Sequence, residues 1–172
     1  MRLPDRSLTM LSGTGLVLLL LAGPRALGAA TDACSLVPLP EVAQIIGNDA
    51  PTFRQQPPID RDGVKVSSCV YQQAGAANTG NVQFNTYESA AAAQTGLKQY
   101  VDAMAKLGAT IAADTAGRLP ATFVTTQRGS GEMYVVKGNV LLGAGVATVS
   151  GGKVVPLQDR SRALLAAAIA KF

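Results

Sequence analysis

Met133-Tyr134-Val135-Val136-Lys137-Gly138-Asn139-Val140-Leu141-Leu142-Gly143-Ala144-Gly145-Val146-Ala147 decides the fold. Two β-prone runs flank Gly138-Asn139, a two-residue connection of the kind that joins hairpins. A link this short joins only antiparallel strands, because parallel neighbours need a long crossover. Upstream, Thr110-Ile111-Ala112 and Thr122-Phe123-Val124-Thr125-Thr126 predict two shorter strands. Earlier still, residues 51–73 predict two strands, the first holding Phe53, with Pro57-Pro58 and Asp60-Arg61-Asp62-Gly63 as punctuation. In the second, Val64, Val66, Ser68 and Val70 share one face, while Cys69 and Tyr71 share the other. A Gly/Ala/Asn loop over 74–81 then leads into Val82-Gln83-Phe84-Asn85-Thr86-Tyr87, which alternates.

Helical patterns interrupt these strands. Pro38 to Gly47 predicts a short helix with prolines in its first turn, Glu41 complementing the N-terminal dipole and Gly47 as the stop. Ser89 predicts the N-cap of the longest helix, which ends near Leu107 before Gly108. Leu97, Tyr100, Val101, Met104 and Leu107 form its apolar stripe. Gly96 inside that helix costs about 1 kcal/mol relative to alanine, which points to a close approach or to an unconstrained exposed position. A closing helix starts near Pro156, with Leu157, Leu164, Leu165, Ala168, Ile169 and Phe172 on one face. The expected architecture is α+β: an antiparallel sheet of about six strands and three helices, ordered helix, strands, helix, strands, helix.

Residues 1–30 have the grammar of a cleavable signal peptide: Arg2 and Arg6, the run Gly15 to Ala22, then small residues at Ala26 to Ala30. Pro24-Arg25 ends the apolar run short of the roughly 20 residues a spanning helix needs. Pro24 also stands where a lipobox would place its cysteine. The expected mature chain is a single domain over 31–172, periplasmic or secreted, with no stable membrane insertion after cleavage. In an oxidising compartment, Cys34 and Cys69 are expected to form a disulfide. Closing a loop of that length is worth roughly 3.5–4 kcal/mol in the chain-entropy model.

Composition narrows the chemistry. Of 15 Lys plus Arg, three lie in residues 1–30, and of 11 Asp plus Glu one does, leaving 12 cations against 10 anions in the mature segment. No basic cluster is interleaved with aromatics, so nucleic acid is not an expected partner. The sequence has no histidine and no tryptophan. Without histidine the usual general base and the commonest transition-metal ligand are missing. No catalytic, cofactor-binding or metal-ligating residue is assigned, and no cofactor is expected.

Three short motifs resolve the same way. Ser150-Gly151-Gly152-Lys153 matches a Ser-x-x-Lys pattern, but that chemistry needs the serine at a helix start, and Gly-Gly after a strand predicts a turn. Gly143-Ala144-Gly145 lies within a strand pattern and lacks the third glycine of a dinucleotide fingerprint, so it predicts close helix packing. Asp60, Arg61 and Asp62 predict a solvated turn. Tyr71, Tyr87, Tyr100 and Tyr134 are candidates for a binding surface, set against semi-buried positions with hydroxyls reaching solvent.

Cys34-Ser35-Leu36-Val37 with Glu41-Val42, then Ser68-Cys69-Val70-Tyr71, an alanine-rich helix, a hairpin at Lys137-Gly138-Asn139 and an amphipathic closing helix resemble a group of small exported bacterial proteins, often lipoproteins. Their usual opening is Cys-Ser-Leu-Leu-Thr-x-x-Glu-Val; here Pro38 replaces the threonine and Pro24 the lipid-bearing cysteine. The resemblance implies fold and location and brings no catalytic residues. The expected function is a non-catalytic envelope module binding a protein, peptide or small ligand. The alternatives are a hydrolase using Asp, Glu, Tyr or Lys, and a structural envelope component. A concave apolar pocket favours binding, whereas a flat polar sheet face favours a structural role.

Overall fold

The computed structural model describes residues 32–117 and 120–172, so the signal-peptide expectation for residues 1–30 lies outside the described residues. A 3-10 turn at Ala33–Ser35 precedes α1 (Leu39–Ile46), β1 (Thr52–Arg61), β2 (Val64–Gln72), β3 (Asn78–Thr86), α2 (Ala90–Lys106) and β4 (Thr110–Asp114). Then follow β5 (Ala121–Thr125), β6 (Gly131–Lys137), β7 (Val140–Ser150), β8 (Lys153–Pro156) and α3 (Gln158–Ile169). The α+β expectation and the element order hold, but among the described residues the sheet has eight strands rather than about six. Seven lie in the order β1-β2-β3-β7-β6-β5-β4, and β8 pairs with the far end of β7; every pairing is antiparallel.

Two differences from the sequence reading have physical causes. Asn78-Thr79-Gly80 belongs to β3, not to a loop, because Thr79 and Gly80 pair with β2 on one side and all three pair with β7 on the other. Ladder partners on both sides override weak intrinsic propensity. The eighth strand follows the Gly151-Gly152 turn, where both glycines have positive φ and Ser150 pairs directly with Lys153. Serine and lysine of the Ser-x-x-Lys pattern are thus the two ends of a hairpin. Pro57-Pro58 does not end β1; the strand absorbs them as a register shift between Gln56 and Ile59 at the sheet edge.

Helices cover both faces. On one, α1 and α3 bury Val42, Ile46, Leu164, Leu165 and Ala168 against Cys69 and Tyr71 of β2, Val82 and Phe84 of β3, and Leu142, Ala144 and Val146 of β7. On the other, the expected α2 stripe of Leu97, Tyr100, Val101 and Met104 meets Val124, Tyr134 and Leu141; Leu107, beyond the helix, is 70% exposed. Ser89 caps α2 by accepting from the Ala92 amide at 3.1 Å.

Cys34 and Cys69 are bridged, with Cα atoms 5.0 Å apart. The Ala33 amide donates to Ser67 Oγ at 3.0 Å, and the Asp32 carboxylate accepts from the Cys34 amide at 2.8 Å. The segment before α1 is therefore clamped onto β2, as the alternation of Cys69 and Tyr71 predicted. Replacing both cysteines with serine lowers the unfolding free energy by about 2–4 kcal/mol in urea titration; a loss below about 1 kcal/mol would deny the bridge its structural weight.

Gly96 marks a close approach: a Cβ there would collide with the Tyr87 ring and hydroxyl. Gly→Ala in a helix interior ordinarily stabilises by about 1 kcal/mol. Gly96→Ala is expected to destabilise instead, and to become stabilising in a Tyr87→Ala background. The same sign in both backgrounds would sink this account.

Candidate ligand-binding groove

The α3 helix crosses β7, β6 and β3 and stops short of β4 and β5. Its flank and the uncovered strands enclose a groove of about 650 Å³. Ala121, Met133 and Val135 form the floor, and Ala163, Ala166 and Ile169 the wall. The surface is mostly apolar, and the volume falls within the range of small-molecule sites. None of the four tyrosines lines it.

One end is built around Asp114, the last residue of β4, which points toward α3 and is 4% exposed. Arg162 donates to it from Nη2 at 2.7 Å and from Nε at 3.0 Å, Gln158 Nε2 at 3.3 Å and the Ala116 amide at 3.0 Å. Hydrogen bonds from Arg162, outweighing desolvation, hold the Asp114 carboxyl below the usual carboxylate range. Arg162 Nη1 also reaches Asp159 at 2.7 Å. At the other end, Lys137 Nζ donates to the Ile169 carbonyl at 3.2 Å. Among the described residues, no carboxylate lies within ion-pairing distance of Lys137.

On the opposite sheet face a polar cluster surrounds Glu132. Its carboxylate accepts from Asn81 Nδ2 at 2.9 Å and from the Tyr134 hydroxyl. Tyr134 has one proton and gives it to Glu132, so Tyr100 is the donor in the 2.9 Å contact between the two hydroxyls. Gln83 Nε2 donates to the same Tyr134 oxygen at 3.1 Å. Burial first, then the Glu132 charge, push the Tyr134 hydroxyl far above its ordinary value, so it stays protonated. These bonds tie Tyr100 of α2 to the sheet. Gly143 and Gly145 lie beneath it: a Cβ at Gly143 would sit 2.6 Å from the Tyr134 ring, and one at Gly145 2.6 Å from Asn81 Oδ1. Their expected role in helix packing is corrected accordingly; only Ala144 faces the α3 layer.

Tyr71 is fully buried with no hydrogen-bond partner for its hydroxyl among the described residues, and burial, then the charge of Asp32, pushes it up to about 12. A second hollow of about 610 Å³ lies by the β1–β2 hairpin, lined by Ile59, Lys65, Phe84, Tyr87 and Glu88, and by Asp60 of the Asp60-Arg61-Asp62 turn. Arg61 and Asp62 are exposed, and Asp62 has φ 54° beside Gly63 at φ 78°. Among the described residues, no group of three Cys, Asp or Glu is placed to hold a metal, and no helix is long and apolar enough to cross a membrane. The sequence reading missed Asp114, Arg162 and Lys137. Only the i,i+3 spacing of Asp159 and Arg162 was visible, and the partner on β4 lies 48 residues away.

No family model matches the chain, and no curated protein matches it. One solved structure has the same fold. The extracellular domain of PknH from Mycobacterium tuberculosis superposes with a TM-score of 0.54 over 81% of this chain and 93% of that one, at 12% identity. Identity at that level carries the fold alone. The Cys34–Cys69 bridge is compatible with an oxidising compartment.

Asp114 contributes stability that is present above its unfolded value near 3.8 and lost as pH falls through its lower folded value. Asp114→Asn is expected to cost roughly 1–2 kcal/mol at pH 7, between the values for exposed and buried pairs. The gap from the parent protein should shrink at pH 2. A gap that is constant across that range in urea unfolding would remove the ion pair from the account.

Proposed function

We propose that the chain is an exported envelope module that binds a small apolar ligand non-catalytically in the α3 groove, in line with the group of small exported bacterial proteins its Cys34-Ser35-Leu36 opening resembles. The observation that carries this reading is the groove itself, an apolar concavity between α3 and the strands it leaves uncovered. Its ionisable groups favour binding over turnover. Asp114 is held in its charged form by Arg162, and Asp159 shares the same guanidinium. A general base near neutral pH needs a proton affinity raised toward 7, the opposite of what Arg162 does to Asp114. The ligand in this reading is a small molecule rather than nucleic acid, since among the described residues the lining carries one cation at each end and is otherwise mostly apolar.

Titration with N-phenyl-1-naphthylamine, a neutral apolar fluorophore, tests the reading. One saturable site per chain is expected, and Ala166→Phe, on the exposed flank of α3, should weaken it at least about tenfold with an unchanged unfolding midpoint. Absence of saturable binding, or equal binding by the variant, overturns the proposal.

A further inference from the structure

Among the described residues that line it, the groove is electrically lopsided along its length. Its α3 N-terminal end sets Asp114 and Asp159 against the guanidinium of Arg162, one negative charge in excess. From Arg162 to Ile169 the helix advances seven residues, about 10 Å, past Ala163 and Ala166. The far end carries the ammonium of Lys137, whose recorded hydrogen bond is to the Ile169 carbonyl. An ammonium has three donors, so two stay open for an incoming acceptor.

We infer that the occupant is a single-chain amphiphile with a carboxylate head, of the fatty-acid type. The head pairs with Lys137, and the chain lies along Met133, Val135 and Ala166 toward the Asp114–Arg162 pair. The apolar stretch takes the chain, and each methylene removed from water there contributes to affinity. Charge sets the direction: a carboxylate at the Asp114–Asp159 end meets net repulsion, while at the Lys137 end it gains a charge-assisted hydrogen bond. A cationic head gains less at the acidic end, because Asp114 is buried beneath its own donors and the Asp159 carboxylate is 94% exposed, where an ion pair contributes little. A phosphate head would suit a bidentate guanidinium better than a lone ammonium.

This inference rests on the binding reading above, and one set of probes separates the two. Calorimetric titration with decanoate, decanol and decyltrimethylammonium is carried out on the mature protein and on Lys137→Met and Lys137→Arg. Decanoate should bind the parent protein at least about tenfold more tightly than either other probe. Lys137→Met should remove that advantage and leave decanol unchanged, and Lys137→Arg should keep it within about threefold. If decanol binds and decanoate binds no better, the carboxylate assignment is overturned while the groove stands. If decyltrimethylammonium binds tightest, the direction of the charge argument is wrong. If none of the three binds, the binding function falls with it.

Discussion

Strand β7 is the constraint on which the structure depends. It pairs with β3 along nine residues on one side, and with β6 and then β8 on the other. Its alternation serves both cores at once. Val140, Leu142, Ala144 and Val146 face the layer of α1 and α3, and Leu141 faces α2. Gly143 and Gly145, on the α2 side, leave room for Tyr134, Gln83 and Asn81 to lie flat against the sheet. A β-branched residue at either glycine would push that polar cluster off the sheet and expose the Glu132 carboxylate without its donors. The Cys34–Cys69 bridge acts at one remove from β7. It closes the side of the sheet beyond β3, where β1 is exposed along its whole length and contributes little burial of its own.

The groove follows from the breadth of this sheet. Seven strands at about 4.8 Å spacing span about 29 Å, whereas a helix with its side chains is about 10 Å across. Two helices and the 3-10 turn cover β2, β3, β7 and β6, and among the described residues no third helix covers β5 and β4 on that face. Arg162 is the strut that keeps α3 at its distance from β4. It meets Asp114 across the gap with two nitrogens, so α3 neither slides over β5 nor lifts away. Arg160, two residues earlier, reaches the other way and donates to the Ile46 carbonyl at 2.6 Å, which ties α3 to the end of α1. The two arginines hold the helix from opposite sides.

Much of this was legible in local sequence. Gly138-Asn139 required an antiparallel pair, Ser89 and Gly108 bounded α2, and the alternation through Cys69 and Tyr71 placed the bridge on the correct face. Each of these signals lies within a few residues of the feature it specifies. Asn78-Thr79-Gly80 did not read as strand, because its stability comes from partners up to some 70 residues away. Lys153-Val154-Val155-Pro156 was too short to separate from the approach to α3. The groove was not legible at all. Asp114 and Lys137 are ordinary residues of two strands, and only the packing of α3 across the sheet makes them the ends of one concavity.

The polar cluster and the groove put the same residue types to opposite uses. The Glu132 carboxylate accepts from Asn81, Gln83 and Tyr134, and the Tyr134 oxygen accepts from Gln83 and Tyr100. Side chains bonded to one another in this way have less to offer a ligand, and a hydroxyl whose ionised form is strongly disfavoured cannot serve as a base. At Lys137 the arrangement is open: one bond to a helix carbonyl, two donors unused, and an apolar channel leading away. Desolvating an ammonium beside such a channel is costly unless an anion arrives with the apolar chain. Lys137 is thus tolerable at the edge of the groove in water, and most favourable there when the groove is filled.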